Sequence, residues 1–413
     1  MVTPKLRFKE FNGDLAESKL FDSTAWASGG TPAKDIPEYW GDDIPLISGA
    51  SMHTNQLYES DVKITKLGLQ KGSKLAPKDS ILILVRGSML FNKIPMGITL
   101  GDVAFNQDVK CIRPKQELAP LFLFQWLHAK ENTIQNKVTA TGIGAGKLDT
   151  ADLQNLKLYR PSSKEQTKIA SFLSTVDEKI SQLTQKHQLL SQYKQGMMQK
   201  LFSQQIRFKA DDGSEFGEWE ETKFLDLMVD LWDYRGKTPK KLGMDWGDGE
   251  IQSLSALNIK KGFIDFDADC HLGSEKLYKT WMNKGDLEKD DIIFTMEAPL
   301  GNVALVPDDR KYILSQWVVC FKTNKKMVDN KFLFQLILSD QFQSRIEELA
   351  TGTTAKGINQ KSMQKIEIAF PCLEEQTKIA NFLSAIDQKI EVVAQQIEQA
   401  KIWKKGLLQQ MFV

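Results

Sequence analysis

An internal duplication constrains the fold of this 413-residue chain more than any other feature of its sequence. The segment EQTKIASFLSTVDEKI at 165–180 recurs 210 positions later as EQTKIANFLSAIDQKI at 375–390. Without a gap, 17 of 38 positions are identical between 165–202 and 375–412. The tetrapeptide FLFQ recurs upstream at the same offset. The chain is therefore predicted to consist of two similar halves, each a variable domain followed by a more constant segment.

The repeated segments are predicted to be long helices that pair as a coiled coil. Their apolar residues recur with three- and four-residue spacing, and Ser162 with Glu165 can form a capping box. Five heptads stay in register in each copy, which makes the two copies each other's obvious partners. The predicted seam comprises Ile169, Leu173, Val176, Ile180 and Leu183 in the first copy and Ile379, Leu383, Ile386, Ile390, Val393 and Ile397 in the second.

Two lysines, Lys194 and Lys404, interrupt this seam at the same heptad position. Each follows an aromatic residue and lies two positions before a glycine, Gly196 or Gly406. One interpretation is a stutter that moves the seam onto the aromatic residue. The other is that this end of each helix packs against a different protein, with glycine allowing a close approach. Glycine inside a helix otherwise costs about 1 kcal/mol relative to alanine.

The variable domains are predicted to contain both strands and helices. The predicted fold class is therefore α+β, with a pseudo-twofold internal repeat. Runs rich in β-branched and aromatic residues predict strands, and one amphipathic helix is predicted in each half, near 121–137 and 331–350. The predicted strands are 80–85, 102–106, 291–295, 303–306 and 317–321. The predicted boundaries are 1–160 for the first domain, 161–203 for the first helix, 204–370 for the second domain and 371–413 for the second helix.

Composition narrows the classes of protein to consider. The chain has no apolar run near the roughly 20 residues that a membrane helix needs, and its first ten residues lack the apolar core of a secretory signal, so we expect a cytoplasmic protein. The four cysteines are far apart, and no histidine lies at ligand spacing from another ligand, so we expect no metal site. The net charge of +1 disfavours a protein that coats nucleic acid nonspecifically.

The motifs examined for catalysis are all incomplete. The stretch at 141–147 superficially resembles a phosphate-binding loop, but Thr141 replaces its first glycine and Leu148 replaces the magnesium-binding hydroxyl residue. Asp308 with Asp329 and Lys331 approximates a nuclease motif, yet the corresponding helix of the first half begins without a lysine. The motifs for amino methylation are missing from the sequence. We therefore predict no catalytic centre and no cofactor.

The remaining candidates for function are polar loop residues that could contact DNA bases or phosphates. Arginine can bind guanine through two hydrogen bonds, asparagine can bind adenine, and glutamate can accept from the amino group of cytosine. Candidates lie at corresponding places in both halves. For the set as a whole, this favours a role in binding over the alternative that they are ordinary solvent-exposed side chains. They are Thr31, Lys34, Ser48, Ser51, Arg86, Ser88, Lys93 and Lys147 in the first half, and Arg235, Lys237, Thr238, Ser253, Ser255, Asn258, Glu297 and Lys356 in the second.

The arrangement of two variable domains, each followed by a similar helix, resembles the specificity subunit of a type I restriction-modification system across the whole length of the chain. The resemblance rests on GGTP at 29–32, EYWG at 38–41, and Pro371 followed by the EQTKIA helix start. The second half departs from it with RGKTP at 235–239. The resemblance implies two target recognition domains that each bind half of a split, asymmetric DNA sequence. It also implies that the helices form an antiparallel spacer, to which two methyltransferase subunits dock and which restriction subunits join, while catalysis belongs to those partners.

Two rival functions stay open from the residues alone. The chain could be a coiled-coil scaffold that binds only proteins, in which case DNA would not be bound with or without a methyltransferase. It could also be a self-sufficient enzyme, which the incomplete motifs disfavour. Neither the bases read nor the domain that reads each half follows from the sequence.

Overall fold

The computed structural model describes residues 3–115, 117–142, 144–315, 317–352 and 356–413. No helix formed by these residues combines the length and the apolar composition needed to cross a membrane. The chain divides into two compact units, which are described separately. The first extends to Thr184 and also contains Gln395–Val413, and the second is Gln185–Ala394.

The first unit contains two larger sheets, two smaller ones (β1-β14 and β12-β13-β8) and the helices that accompany them. A five-stranded sheet has the order β2-β11-β7-β9-β4, and a four-stranded sheet has the order β5-β3-β10-β6. The strands are β1 Ala16–Lys19, β2 Thr24–Ser28, β3 Trp40–Ile47, β4 Gln56–Leu57, β5 Lys63–Ile64, β6 Lys74–Ala76, β7 Ile81–Leu84, β8 Arg86–Gly87, β9 Met96–Thr99, β10 Val103–Phe105, β11 Val109–Pro114, β12 Thr139–Ala140, β13 Gly146–Lys147 and β14 Lys157–Arg160. The helices are α1 Lys66–Gly72, α2 Pro120–Ala129, α3 Glu131–Gln135, α4 Thr150–Gln154 and the beginning of α5 Ser163–Phe202.

The second unit repeats the plan with fewer strands. Its main sheet has the order β16-β22-β19-β20, and a smaller one has the order β18-β17-β21. The strands are β15 Glu220–Lys223, β16 Met228–Asp233, β17 Ile251–Leu254, β18 Leu272–Gly273, β19 Ile292–Thr295, β20 Val303–Leu305, β21 Ile313–Leu314, β22 Val318–Thr323 and β23 Glu367–Phe370. The helices are α6 Glu275–Trp281, α7 Asn330–Leu338, α8 Asp340–Leu349, α9 Gln360–Met363 and most of α10 Leu373–Met411.

All five predicted strands are present, as β7, β10, β19, β20 and β22. The prediction of one continuous amphipathic helix in each half was wrong. In the first unit the helix breaks at Lys130, which leaves the helical region with φ −93° and ψ 3°. In the second it breaks at Ser339, whose extended backbone frees its hydroxyl to accept from the Phe342 N–H and cap α8. A serine that bonds locally to backbone competes with a continuous helix.

The glutamate that begins each repeated motif anchors a helix to a preceding segment. Glu165 accepts hydrogen bonds from Nε and Nη2 of Arg7, both at 2.7 Å. In the second unit Glu375 accepts from the same atoms of Arg207 at 3.1 and 2.6 Å. The predicted capping box is only half formed: the Glu165 N–H donates to the Ser162 hydroxyl at 3.4 Å, while Arg7 binds the Glu165 carboxylate. The motif therefore fixes the start of each long helix by a buried ion pair.

Each unit packs the start of one long helix with the end of the other. In the first unit Leu173 and Val176 of α5 lie in one core with Leu407 and Met411 of α10. In the second, the end of α5 shares a core with the predicted seam residues 379, 383 and 386 of α10. Most of the predicted seam is buried, and Ile180, Ile390 and Ile397 are partly exposed.

The two lysines that interrupt the seam are both largely buried, and each forms an ion pair. Lys404 is 11% exposed and its Nζ lies 2.5 Å from Oδ1 of Asp177, which also accepts from Nε2 of Gln125 at 2.7 Å. In the second unit Lys194, 14% exposed, lies 2.6 Å from Asp387, which accepts from Gln335 at 2.8 Å. The aromatic residues that precede the lysines are exposed, which rules out the stutter. Each unit thus contains one Gln–Asp–Lys network that joins its domain to both helices.

Candidate nucleic-acid interface

Three candidate residues of the first unit, Thr31, Ser48 and Ser51, lie where the parallel strands β3 and β10 end. The loop that contains Thr31 crosses this edge so closely that a Cβ on Gly29 would lie 2.1 Å from the Phe105 carbonyl oxygen. Gly30 donates its N–H to that oxygen at 3.0 Å, and the Thr31 hydroxyl donates to Gln107 at 2.7 Å. Only glycine allows this approach. The GGTP motif therefore lets the backbone pass directly over the end of β10, which brings Thr31 to the edge.

The loop after β3 forms a short turn beside the same edge. The Ser48 N–H donates to the Ser51 hydroxyl at 2.9 Å, so both candidate serines hold the turn together. A Cβ on Gly49 within this turn would lie 3.3 Å from Leu84, the last residue of β7. The turn therefore lies against the end of β7, two residues before Arg86.

Arg86 and Lys147 form the basic part of this edge. They are Cα partners across the antiparallel strands β8 and β13, and both side chains are exposed. The glycine-rich stretch at 141–147 thus returns beside the end of β7, although its Ile143 lies outside the described residues. Two adjacent cations of this kind suit a phosphate or the acceptor edge of guanine. The other exposed candidates of this unit are Lys34, Ser88 and Lys93.

In the second unit Arg235 follows β16 and is bound by a neighbouring carboxylate. Its Nε and Nη2 donate to Asp233 at 2.9 and 2.6 Å, and Gln360 donates to the same carboxylate at 3.4 Å. Burial opposes ionisation of Asp233, but the hydrogen bonds from Arg235 outweigh it and lower the pKa of Asp233. The hydrogen bonds that Arg235 donates to Asp233 raise the pKa of Arg235, and the charge of Glu297 adds to this effect. Arg235 is therefore held in place by Asp233.

Glu297 occupies the place that Arg86 has in the first unit. It follows β19 as Arg86 follows β7, and it pairs with Gly357 as Arg86 pairs with Lys147. Glu297 is half-buried, and Lys356 beside Gly357 is exposed and bonded to Glu347. Residues 353–355 of this second glycine-containing stretch lie outside the described residues.

Two predicted contacts are corrected by their burial. Ser253 and Asn258 are nearly inaccessible, and they organise the loop after β17. The Ser253 hydroxyl accepts from the His271 N–H at 3.1 Å, and the Asn258 amide accepts from the Ser255 N–H at 3.1 Å. Polar groups buried and bonded in this way serve the fold, so both are withdrawn as DNA contacts.

Of the remaining candidates of the second unit, Ser255 donates its hydroxyl to Asn258 at 3.0 Å, and Lys237 and Thr238 belong to the turn after β16. Lys237 donates to the Trp281 carbonyl at 3.3 Å, and its Nζ lies 4.6 Å from the centre of the Tyr234 ring. The Thr238 hydroxyl accepts from the Lys241 N–H and caps a turn of 3₁₀ helix. Both side chains are half-buried, and both are tied to this turn.

Trp317 is a surface residue at this edge that the sequence interpretation missed. It was assigned to the beginning of a strand, whereas the strand begins one residue later, at Val318. Its side chain is 42% exposed and its φ is 62°. Alignment of Cys320 with Cys111 makes Trp317 equivalent to Asp108 of the first half. An aromatic residue in one half at the position of an acidic residue in the other is the signal that could have identified it.

The described residues contain no group of three histidine, cysteine or acidic side chains arranged to hold a metal ion. The edges of both units instead combine cationic, amide, hydroxyl and carboxylate groups on loops. Such a mixture is suited to recognition by hydrogen bonds.

Comparisons with known proteins agree with this arrangement. The chain is 27% identical over 416 residues to the MjaVIII specificity subunit of Methanocaldococcus jannaschii, covering 97% of this chain and 94% of that one. It is 29% identical over 182 residues to the EcoR124I/EcoR124II specificity subunit of Escherichia coli, covering 44% and 45% of the two chains. In fold it is similar to the type I S subunit of M. genitalium, with a TM-score of 0.60, 15% identity, and coverage of 100% of this chain and 99% of that chain.

The family model described as the type I restriction modification DNA specificity domain matches twice, at residues 12–192 and 217–401. These two matches span most of the chain and coincide with the duplication. The predicted resemblance and the prediction of a non-catalytic recognition subunit are thereby confirmed. The chain belongs to the family of type I restriction-modification DNA specificity subunits.

Proposed function

We propose that the chain reads a split, asymmetric DNA sequence for a type I restriction-modification complex, with one half-site for each unit. The observation that carries this proposal is a repeated framework with different side chains at equivalent strand ends. The first unit has Arg86 beside Lys147, and the second has Glu297 beside Gly357. Arginine matches the acceptors of guanine, and a carboxylate matches the amino group of cytosine. Opposite charges at one place of a shared framework suit two different half-sites.

The long helices form the spacer in this proposal, and their pairing is antiparallel. The support is that each unit combines the beginning of one helix with the end of the other. The domain boundaries in this proposal are 1–160 and 204–370, each ending shortly before a long helix, α5 from Ser163 and α10 from Leu373. A spacer of fixed length gives a fixed separation between the half-sites.

Two methyltransferase subunits and the restriction subunits are the proposed protein partners, and methylation and cleavage take place on them. The support is that the relatives are named as specificity subunits of type I restriction enzymes. Tyr193 and Trp403 are exposed on the long helices. A Cβ on Gly196 or Gly406 would meet no atom of the described residues within 4 Å beyond the helix's own backbone. These helix faces therefore have room for a partner helix.

Binding of DNA is expected to be weak for the chain alone and strong once a methyltransferase is bound. The net charge is only +1, and Arg235 and Lys356 of the second unit are already paired with Asp233 and Glu347, so little affinity comes from phosphates. The measurement is an electrophoretic shift of a duplex with the recognised sequence, with and without the methyltransferase, at two salt concentrations. A random duplex is the control. If the complete complex shifts neither duplex, the chain is a scaffold and the proposal fails.

A further inference from the structure

Trp317 combines two features that work against the stability of a folded chain. Its indole is 42% exposed, and its backbone has a φ of 62°, a left-handed conformation that bulky residues rarely adopt. The backbone is nevertheless fixed, because the Trp317 carbonyl accepts from the Met296 N–H at 2.9 Å. Backbone strain of this kind is concentrated at active sites and ligand contacts, and here it presents a large apolar side chain to solvent.

The position of Trp317 identifies the kind of ligand. The next residue, Val318, pairs with Thr295 at the end of β19, and Val319 pairs with Asp233 at the end of β16. Trp317 is therefore at the edge where Glu297 and Arg235 follow those strands. These are the residues of the second unit proposed to contact DNA bases.

The first unit has the same backbone arrangement with different chemistry. There the Val85 N–H donates to the Asp108 carbonyl at 2.8 Å, which corresponds to the bond from Met296 to Trp317. The residue after Val85 is Arg86, and the residue after Met296 is Glu297. One unit thus presents arginine with aspartate where the other presents glutamate with tryptophan. Two positions that differ in this way on one framework are where base preference is expected to be set.

We propose that Trp317 is a specificity-determining residue of the second unit and that its indole packs against the 5-methyl group of a thymine in the major groove. The proposal rests on the DNA-reading function proposed above. The 5-methyl group is the apolar feature that a base pair presents in the major groove. The adjacent Glu297 carboxylate is repelled by phosphates but can accept from the cytosine amine in the same groove. Both neighbours are therefore suited to base edges rather than to the DNA backbone.

Replacement of single thymines by deoxyuridine tests this contact without altering the protein. The complete complex with its methyltransferase is bound to duplexes that carry deoxyuridine at one position of the second half-site at a time. One position is expected to weaken binding by roughly fivefold, because deoxyuridine lacks only the methyl group. A wild-type complex that binds specifically but is insensitive to every replacement overturns the inference. A complex without specific binding contradicts the proposed function instead.

The variant Trp317→Ala completes the cycle. It is expected to weaken binding of the thymine duplex by on the order of tenfold and to lose the sensitivity to deoxyuridine. Trp317→Phe should retain part of both. The matched control is Phe263→Ala, which removes another exposed aromatic ring of the same unit, and it should bind like wild type. Equal sensitivity to deoxyuridine in wild type and Trp317→Ala overturns the inference.

Discussion

Exchange of residues 1–160 for the first domain of another specificity subunit is expected to replace one half of the recognised sequence completely. The other half and the separation between the halves should stay unchanged. The reason is that the candidate contacts of the two halves lie in different units, and α5 and α10 are left intact. The measurement is the mapping of methylated adenines in DNA from cells that carry the chimaera and its methyltransferase.

The contacts between the first domain and the long helices identify the residues that the incoming domain must retain. Arg7 binds Glu165 across the junction, and Gln125 of the FLFQ motif binds Asp177. Phe122 of the same motif packs on Phe412, with ring centres 5.4 Å apart. A chimaera that retains these residues is the informative one, and the reciprocal exchange of 204–370 is its control. A change in both halves after a single exchange would be incompatible with separate reading by the two units.

Substitution of Asp177 by alanine is expected to destabilise the first unit by about 3 kcal/mol. The change leaves the Lys404 ammonium, only 11% exposed, without its carboxylate, and breaking a buried pair costs far more than removing both partners. The double variant Asp177→Ala with Lys404→Met should therefore recover most of the loss. The measurement is the denaturant midpoint of unfolding.

The matched control for this pair is Glu17→Ala. Glu17 pairs with Lys157 at 2.8 Å, but both side chains are exposed, so its removal should leave the midpoint nearly unchanged. If Asp177→Ala shifts the midpoint no further than this control does, the Gln–Asp–Lys network has no stabilising role.

Much of the fold could be predicted from the sequence because its signals are local. Strands such as β7 and β22 are largely apolar, and half of their residues are β-branched, while the long helices repeat an apolar pattern over many turns. The break at Ser339 was not predictable in this way, because the apolar pattern continues beyond it through Phe342 and Ile346. What ends the helix is a single hydroxyl that caps the next one.

The seam lysines show a different limit. Their partners, Asp177 and Asp387, lie on the other long helix, more than 190 positions away along the chain. A pattern along one helix reveals an interruption but not the charge that compensates it. The pairing becomes visible only when the helices are placed together.

The candidate interface was predicted in outline for a related reason. Residues that follow strands, such as Arg86 and Glu297, could be identified because strand ends are readable in the sequence. Burial of a polar residue inside a loop cannot be predicted from the sequence, which indicates a surface group at Asn258 where the structure has a buried one. Trp317 shows the opposite error. An aromatic residue at a strand boundary predicts a buried core residue, whereas this side chain is exposed.

The most direct test of the account is the sequence that the unaltered chain selects. Methylated adenines would be mapped in DNA from cells that express the chain with its methyltransferase. Two different short specific sequences separated by a nonspecific spacer of constant length are expected. A continuous recognition sequence, two identical half-sites, or a spacer of variable length would contradict this expectation.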